Sequence, residues 1–152
     1  MAHMSILFDG FEDLTRQIEK SGGNVKEAVD EALTATQKYI QAQVQSASNK
    51  YKSKQKGNYV TGAMYDAIIR KPEISWSGEV AEVHTGFSTN EGETQEGFMH
   101  SIFIMYGTKV YGTPRIEKDQ KLFNAIKGAK TQKEVAKIQE EIMRKYIKMG
   151  GE

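Results

Sequence analysis

From Val25 to Val44, the residues Val25, Ala28, Val29, Ala32, Leu33, Tyr39, Ile40 and Val44 recur at helical steps. The spacing predicts a single apolar stripe running along about six turns. Asn24 stands just before it, where a side-chain oxygen accepts from a free N–H of the first turn. The alanines in the stripe allow another element to approach closely. Everything else in the chain is read relative to this helix.

A shorter helix precedes it. Phe8, Phe11, Leu14 and Ile18 predict a helix over Phe8–Lys20, and Ser21-Gly22-Gly23 stops it because glycine accepts the left-handed conformation. After the long helix the pattern fails. Residues 46–60 hold few apolar side chains, with Lys50, Lys52, Lys54 and Lys56 at alternate positions. Like charges so spaced repel and favour an extended, solvated backbone, so a mobile loop is expected. Thr61 is placed to cap a short helical turn, Gly62 to Ile68. Pro72 argues against a central strand around it. Ile74 and Trp76 alternate with polar residues, Ser77-Gly78 turns the chain, and Val80 to Phe87 completes a predicted hairpin. Its register stays open, since Val80 and Val83 face opposite sides.

A second loop, acidic and exposed, is expected over residues 88–97, with Glu91, Glu93 and Glu96. Phe98 to Tyr106 is almost wholly apolar; periodicity does not separate a buried strand from two turns of buried helix. The stretch IMYGTKVYGTPR then places Tyr106-Gly107-Thr108 and Tyr111-Gly112-Thr113-Pro114 close together. Gly107 and Thr108 read as a turn. Thr113 reads as a cap with Pro114 at the first helical position, where a missing N–H is no loss. Glu117 and Asp119 suit the dipole at that end, Ile116, Leu122, Phe123 and Ile126 form the buried face, and Gly128 closes the helix. A final helix is predicted from Thr131 with Glu134 as a capping box. It carries Val135, Ile138, Ile142, Tyr146 and Met149, and ends on basic Arg144, Lys145 and Lys148. The sum is α+β: helices packed on a small antiparallel sheet, with a long helix in the N-terminal half and a C-terminal helical pair.

The 152 residues fit one domain, read as 5–149 with a tail at 150–152. Met1-Ala2-His3-Met4 looks like a cloning remnant. Lys and Arg total 21 against 20 Asp and Glu, so bulk attraction to nucleic acid or anionic membrane is not indicated. With no cysteine, disulfides, thiol catalysis and Cys–zinc sites are excluded. No apolar run approaches the ~20 residues of a membrane span.

The Gly-Thr pairs lack the spacing of a phosphate loop. His84 and His100 belong to no ligand motif. Glu79 and Glu82 flank one strand, and the other glutamates sit in a polar loop, a poor place for paired acid–base work. Catalytic, cofactor-binding and metal sites are therefore all read as absent. The lysine stretch, with Tyr51 and Tyr59 nearby, is the best nucleic-acid candidate. The favoured reading makes it a contact loop that meets the Glu91–Glu96 loop of a neighbouring copy. Tyr39, Trp76, Phe98, Phe103, Tyr106 and Phe123 read as core, as do Met143 and Met149.

Taken in order, FDGFEDL, VKEAVDEALTATQKYIQAQV, TGAMYDAI, FIMYGT and TPRIEKDQKLFNAI cover roughly Ile6 to Ile126. This arrangement resembles the head–tail joining, or tail-completion, proteins of long-tailed double-stranded-DNA phages, and within them the tail components typified by the lambdoid phages' gene product ten. Thr61-Gly62 stands where that family has a Thr-Gly after the loop, and Pro114 where a proline opens a helix. Met105 stands where an acid often precedes the aromatic-Gly-Thr. The resemblance implies a non-enzymatic virion protein without cofactors. It implies a subunit that joins a homo-oligomeric ring at the head–tail junction or tail, after assembly in the host cytoplasm. Connector, portal or tail proteins would be its partners, with passive contact to DNA in the channel and none to membrane. Two rivals are a nucleic-acid-binding module using the lysine loop and a small hydrolase using His84 or His100 with the glutamates.

Overall fold

The structure, a computed structural model, describes residues 10–52, 62–78, 80–88, 93–110, 113–116 and 118–150. Six helices appear there: α1 (Phe11–Lys20), α2 (Val25–Ser48), α3 (Ala63–Asp66), α4 (Glu93–Tyr106), α5 (Gln120–Lys127) and α6 (Ala129–Gly150). Four strands, β1 (Ile74–Ser77), β2 (Val80–Val83), β3 (Thr108–Val110) and β4 (Thr113–Ile116), pair as two separate antiparallel hairpins. The fold is α+β, with the long helix and the closing helical pair in their expected places. Two compact units are distinguished within it. One unit comprises Ile40–Arg70 and Thr85–Thr131; the other takes in residues 10–39, Lys71–His84 and 132–150.

In the second unit, α1 begins at Phe11, later than the expected Phe8, because Gly10 before it is left-handed (φ 89°). Its end follows the sequence closely. Gly22 is left-handed (φ 83°), the Gly23 N–H reaches the Ile18 carbonyl at 2.8 Å, and the Gly22 N–H reaches that of Glu19 at 3.1 Å. This is the Schellman arrangement, which satisfies two carbonyls that the helix leaves orphaned. Asn24 Oδ1 accepts from the Glu27 N–H at 3.1 Å and caps α2 as predicted. Leu14, Ile18, Ala28 and Met143 make the core, with Phe11, Val25, Val29, Tyr146 and Ile147 packed around it. Burial of Leu14 and Ile18 contributes about 2 kcal/mol each.

The β1–β2 register is Ile74↔Val83 and Trp76↔Ala81. It settles the question the valines left open. Ile74, Trp76, Ala81 and Val83 are half-buried on one face, whereas Ser75, Ser77, Val80 and Glu82 are exposed on the other. The predicted second strand stops at Val83, short of Phe87. Phe87 instead bridges to Ile68 in the first unit and is buried there.

Several expectations for the first unit change. Helix α2 runs on through Ser48 and into a 3-10 turn over Asn49–Tyr51, so the loop expected from residue 46 does not begin there. Ala47 and Ser48 are buried, and that burial holds a segment whose composition alone looked solvated. The cap position of α3 is Gly62, left-handed at φ 87°, with no side-chain cap bond; Thr61 lies outside the described residues. Phe98–Tyr106 resolves as helix within α4, which starts at Glu93. Glu93 and Glu96 are thus helical and not in a loop, and Glu91 lies outside the described residues.

Gly107 (φ 76°) turns the chain after α4 as expected, its N–H bonded to the Phe103 carbonyl at 2.8 Å. The next element is a hairpin and not a helix start. Thr108 opens β3, while Thr113 and Pro114 lie in β4, Pro114 opposite Lys109 at an irregular step in the register. In a two-stranded sheet every strand is an edge, so a residue with no N–H to give is tolerated. The helix Pro114 was expected to open begins at Gln120, capped by Asp119. Gly128 closes α5 at an ordinary φ of −68°. Helix α6 begins at Ala129, before the predicted Thr131, whose hydroxyl donates to the Asn124 carbonyl at 2.8 Å. Of the aromatics assigned to the core, Tyr39, Trp76, Phe103 and Phe123 are only half-buried, and Tyr106 is exposed.

Candidate functional site

A densely bonded polar cluster joins the end of the 3-10 turn to the start of α5. Asp119 has extended backbone angles and caps α5 through Oδ1, which accepts from the Leu122 N–H at 3.0 Å. Its Oδ2 accepts from the Tyr51 hydroxyl at 2.6 Å and pairs with Lys50 Nζ at 3.0 Å. The Asp119 N–H donates to the Ile104 carbonyl of α4 at 2.8 Å. Only 7% of the side chain is exposed. Burial by itself would raise the carboxyl pKa, but hydrogen bonds from Tyr51, the Leu122 N–H and Lys50 outweigh it and hold the group below its usual range. Burial, followed by the bond to Asp119, pushes the Tyr51 phenol well above its ordinary value. Three donors meet the carboxylate, and its bonds tie the 3-10 turn to the start of α5.

Around it, cations pack on aromatic rings. Lys52 Nζ and the Arg70 guanidinium lie 5.6 and 5.2 Å from the centre of the Tyr65 ring. Arg70 is held there by its bonds to the Tyr65, Asp66 and Ile68 carbonyls. Beside α5, Lys118 Nζ stands 4.0 Å from the centre of Phe123, and Phe123 meets Tyr106 edge to face at 5.7 Å. Lys127 Nζ donates to the Tyr106 hydroxyl at 2.6 Å. The contacts form one continuous strip, Lys118–Phe123–Tyr106–Lys127.

The second unit has its own polar ties. Glu31 accepts from Lys145 at 2.6 Å and from the Tyr146 hydroxyl, linking α2 to α6. These donors hold the Glu31 carboxyl below its ordinary value, and Glu31 in turn pushes the Tyr146 phenol up to about 12. Gln139 donates to Thr36 at 3.0 Å, and Trp76 Nε1 to Asp30 at 2.7 Å.

The predicted contact residues are dispersed. Lys50 is drawn into the Asp119 cluster, Lys52 rests on Tyr65, and Lys54 and Lys56 lie outside the described residues. Glu82 is on the exposed face of the hairpin, and Glu79 lies outside the described residues. His84 is exposed and belongs to one unit; His100 is half-buried on α4 of the other. An open cleft of about 510 Å³ is lined by Gln43, Ser46, Lys121, Asn124, Lys130 and Thr131 among others, and neither histidine lines it. Among the described residues no group of acidic and histidine side chains is arranged to hold a metal ion, and no helix is long and apolar enough to cross a membrane.

Sequence reasoning missed Asp119 as a cap and charge partner, treating it only as a dipole contribution. The signal was present: an aspartate three residues before the first buried position, Leu122, is an N-cap pattern. Tyr65, Glu31 and Lys118 carried no such signal, because their partners are remote in the chain or depend on side-chain direction. Comparison with protein-family models, with curated proteins and with solved structures found no match.

Proposed function

We propose that the protein is a non-enzymatic assembly subunit of a phage virion, acting in head–tail joining or tail completion as part of a ring around the DNA channel. One observation carries most of the weight: the β1–β2 hairpin is a two-stranded sheet with no third strand among the described residues. Such a hairpin is marginal by itself, and its unpaired edges are templates for strand addition from another chain. Val80, 60% exposed on the outer face, adds apolar surface beside one edge. The ordered stretches that resemble the tail-completion family support the same reading. One of its details changes: Met105, where that family often has an acid, is buried, so a contact made through that acid has no counterpart here.

The rival use of the lysine stretch for nucleic acid is weakened at Lys50, whose charge Asp119 already meets. Mass measurement in solution, of the protein alone and mixed with a candidate portal or tail-tube protein, tests the assembly reading. A defined ring or mixed complex is expected, and Val80→Asp should weaken it. A protein that stays monomeric with every connector partner tried would rule the reading out.

A further inference from the structure

We infer that the strip Lys118–Phe123–Tyr106–Lys127 is a contact site for a nucleic-acid strand with unpaired bases. The site is independent of the assembly reading and uses none of the lysine-loop residues. Tyr106 is 49% exposed, and Lys127 Nζ stands 5.4 Å from its ring centre. It is also held in place: Phe123 meets it edge to face at 5.7 Å, and Lys127 Nζ donates to its hydroxyl at 2.6 Å. A ring already fixed loses little freedom when a base stacks on it. Lys118 and Lys127 flank the pair of rings, which is the interleaving of cations and aromatic faces that single strands use.

The local charge favours a polyanion, although the whole chain is near neutral. From Lys118 to Lys130 the chain carries Lys118, Lys121, Lys127 and Lys130, with Asp119 as the one acid. That acid is 7% exposed and already bonded to Lys50, Tyr51 and the Leu122 N–H, so it does not offset the surface charge. A basic stretch lies within a balanced composition. An acidic protein segment would engage the lysines but has no flat π-face for Tyr106. A DNA duplex would offer phosphates but keeps its bases stacked on one another. An unpaired strand uses both features.

The test is fluorescence anisotropy of the full chain with a labelled oligothymidylate, a duplex of equal length and an acidic peptide. The oligothymidylate should bind more tightly than either. Tyr106→Ala should weaken it by about tenfold, since stacking on one ring has roughly that effect, whereas Tyr106→Phe keeps the ring and most of the binding. Lys118→Gln should lower the salt dependence by about 0.7 in log–log slope, one phosphate's share for a single strand. Lys118 is exposed, so that variant decides the matter even if Tyr106→Ala fails to fold. Equal or tighter binding of the duplex or the peptide would overturn the inference. So would an unchanged affinity in folded Tyr106→Ala, an unchanged slope in Lys118→Gln, or no binding at low salt.

Discussion

Tyr51 donates its hydroxyl to Asp119 Oδ2 at 2.6 Å, across 68 positions of sequence. The same carboxylate caps α5 and faces Lys50, so one side chain both begins a helix and holds the end of another segment against it. Asp119→Ala removes all three bonds and should cost about 3 kcal/mol. Asp119→Asn keeps a good cap but loses the charge, and should cost roughly half as much. The cluster's stabilisation is fully present above the ordinary carboxylate pKa and is lost as pH falls through the lowered folded value. Denaturant unfolding across acid pH measures this. Equal costs for Ala and Asn would show that the charge, and not the cap, carries the stabilisation.

Two glycines should fail for different reasons. Gly78 turns the β1–β2 hairpin at φ 63° with nothing within 4 Å of an added Cβ. Gly78→Ala should cost about 1 kcal/mol through backbone strain alone, and Gly78→Asn should recover part of that. Gly128 has an ordinary φ, but an added Cβ would stand 2.6 Å from the Asn124 carbonyl oxygen and 2.9 Å from its Cα. Gly128→Ala should cost about 2–3 kcal/mol by forcing the α5–α6 joint apart. Thermal melts of the three variants settle the order; an Ala at 128 no worse than one at 78 contradicts it.

Trp76 is the only tryptophan, so its emission reports on one place in the molecule. Its Nε1 donates to Asp30 at 2.7 Å, and Lys26 Nζ stands 5.1 Å from its ring centre. Asp30→Ala should red-shift the emission and cost about 1 kcal/mol; Lys26→Gln should cost about 0.5 kcal/mol. An unshifted spectrum in Asp30→Ala would mean that the bond does not seat the hairpin on α2.

The Glu31–Lys145–Tyr146 tie should give stability two separate limits in pH. Glu31, held low by its donors, contributes above the ordinary carboxylate pKa and loses that contribution as pH falls through its folded value. Tyr146 must keep its proton to donate. Its contribution is present below 10.0 and fades as pH rises through about 12. Tyr146→Phe should lower stability by about 1 kcal/mol at neutral pH and flatten the alkaline arm. An unchanged alkaline arm would assign it to other tyrosines. Because Lys145 and Glu31 are substantially exposed, salt should weaken their part.

Local chemistry written in consecutive residues determined much of the fold. The apolar stripe from Val25, the Asn24 cap, the Ser21-Gly22-Gly23 stop and the turn at Gly78 are short-range devices, and each appears where its residues stand. Tertiary structure decided what short range leaves degenerate. Whether Phe98–Tyr106 was strand or helix depended on what covered it, and α3 packs there. Whether Thr113-Pro114 opened a helix or entered a strand depended on β3 offering a partner. Residues 46–51 looked solvated because composition counts charges without seeing Asp119 in position to meet Lys50. The Tyr106 strip was legible only as separate aromatics and lysines. Its continuity comes from two helices, α4 and α5, converging, a distance the linear chain does not encode.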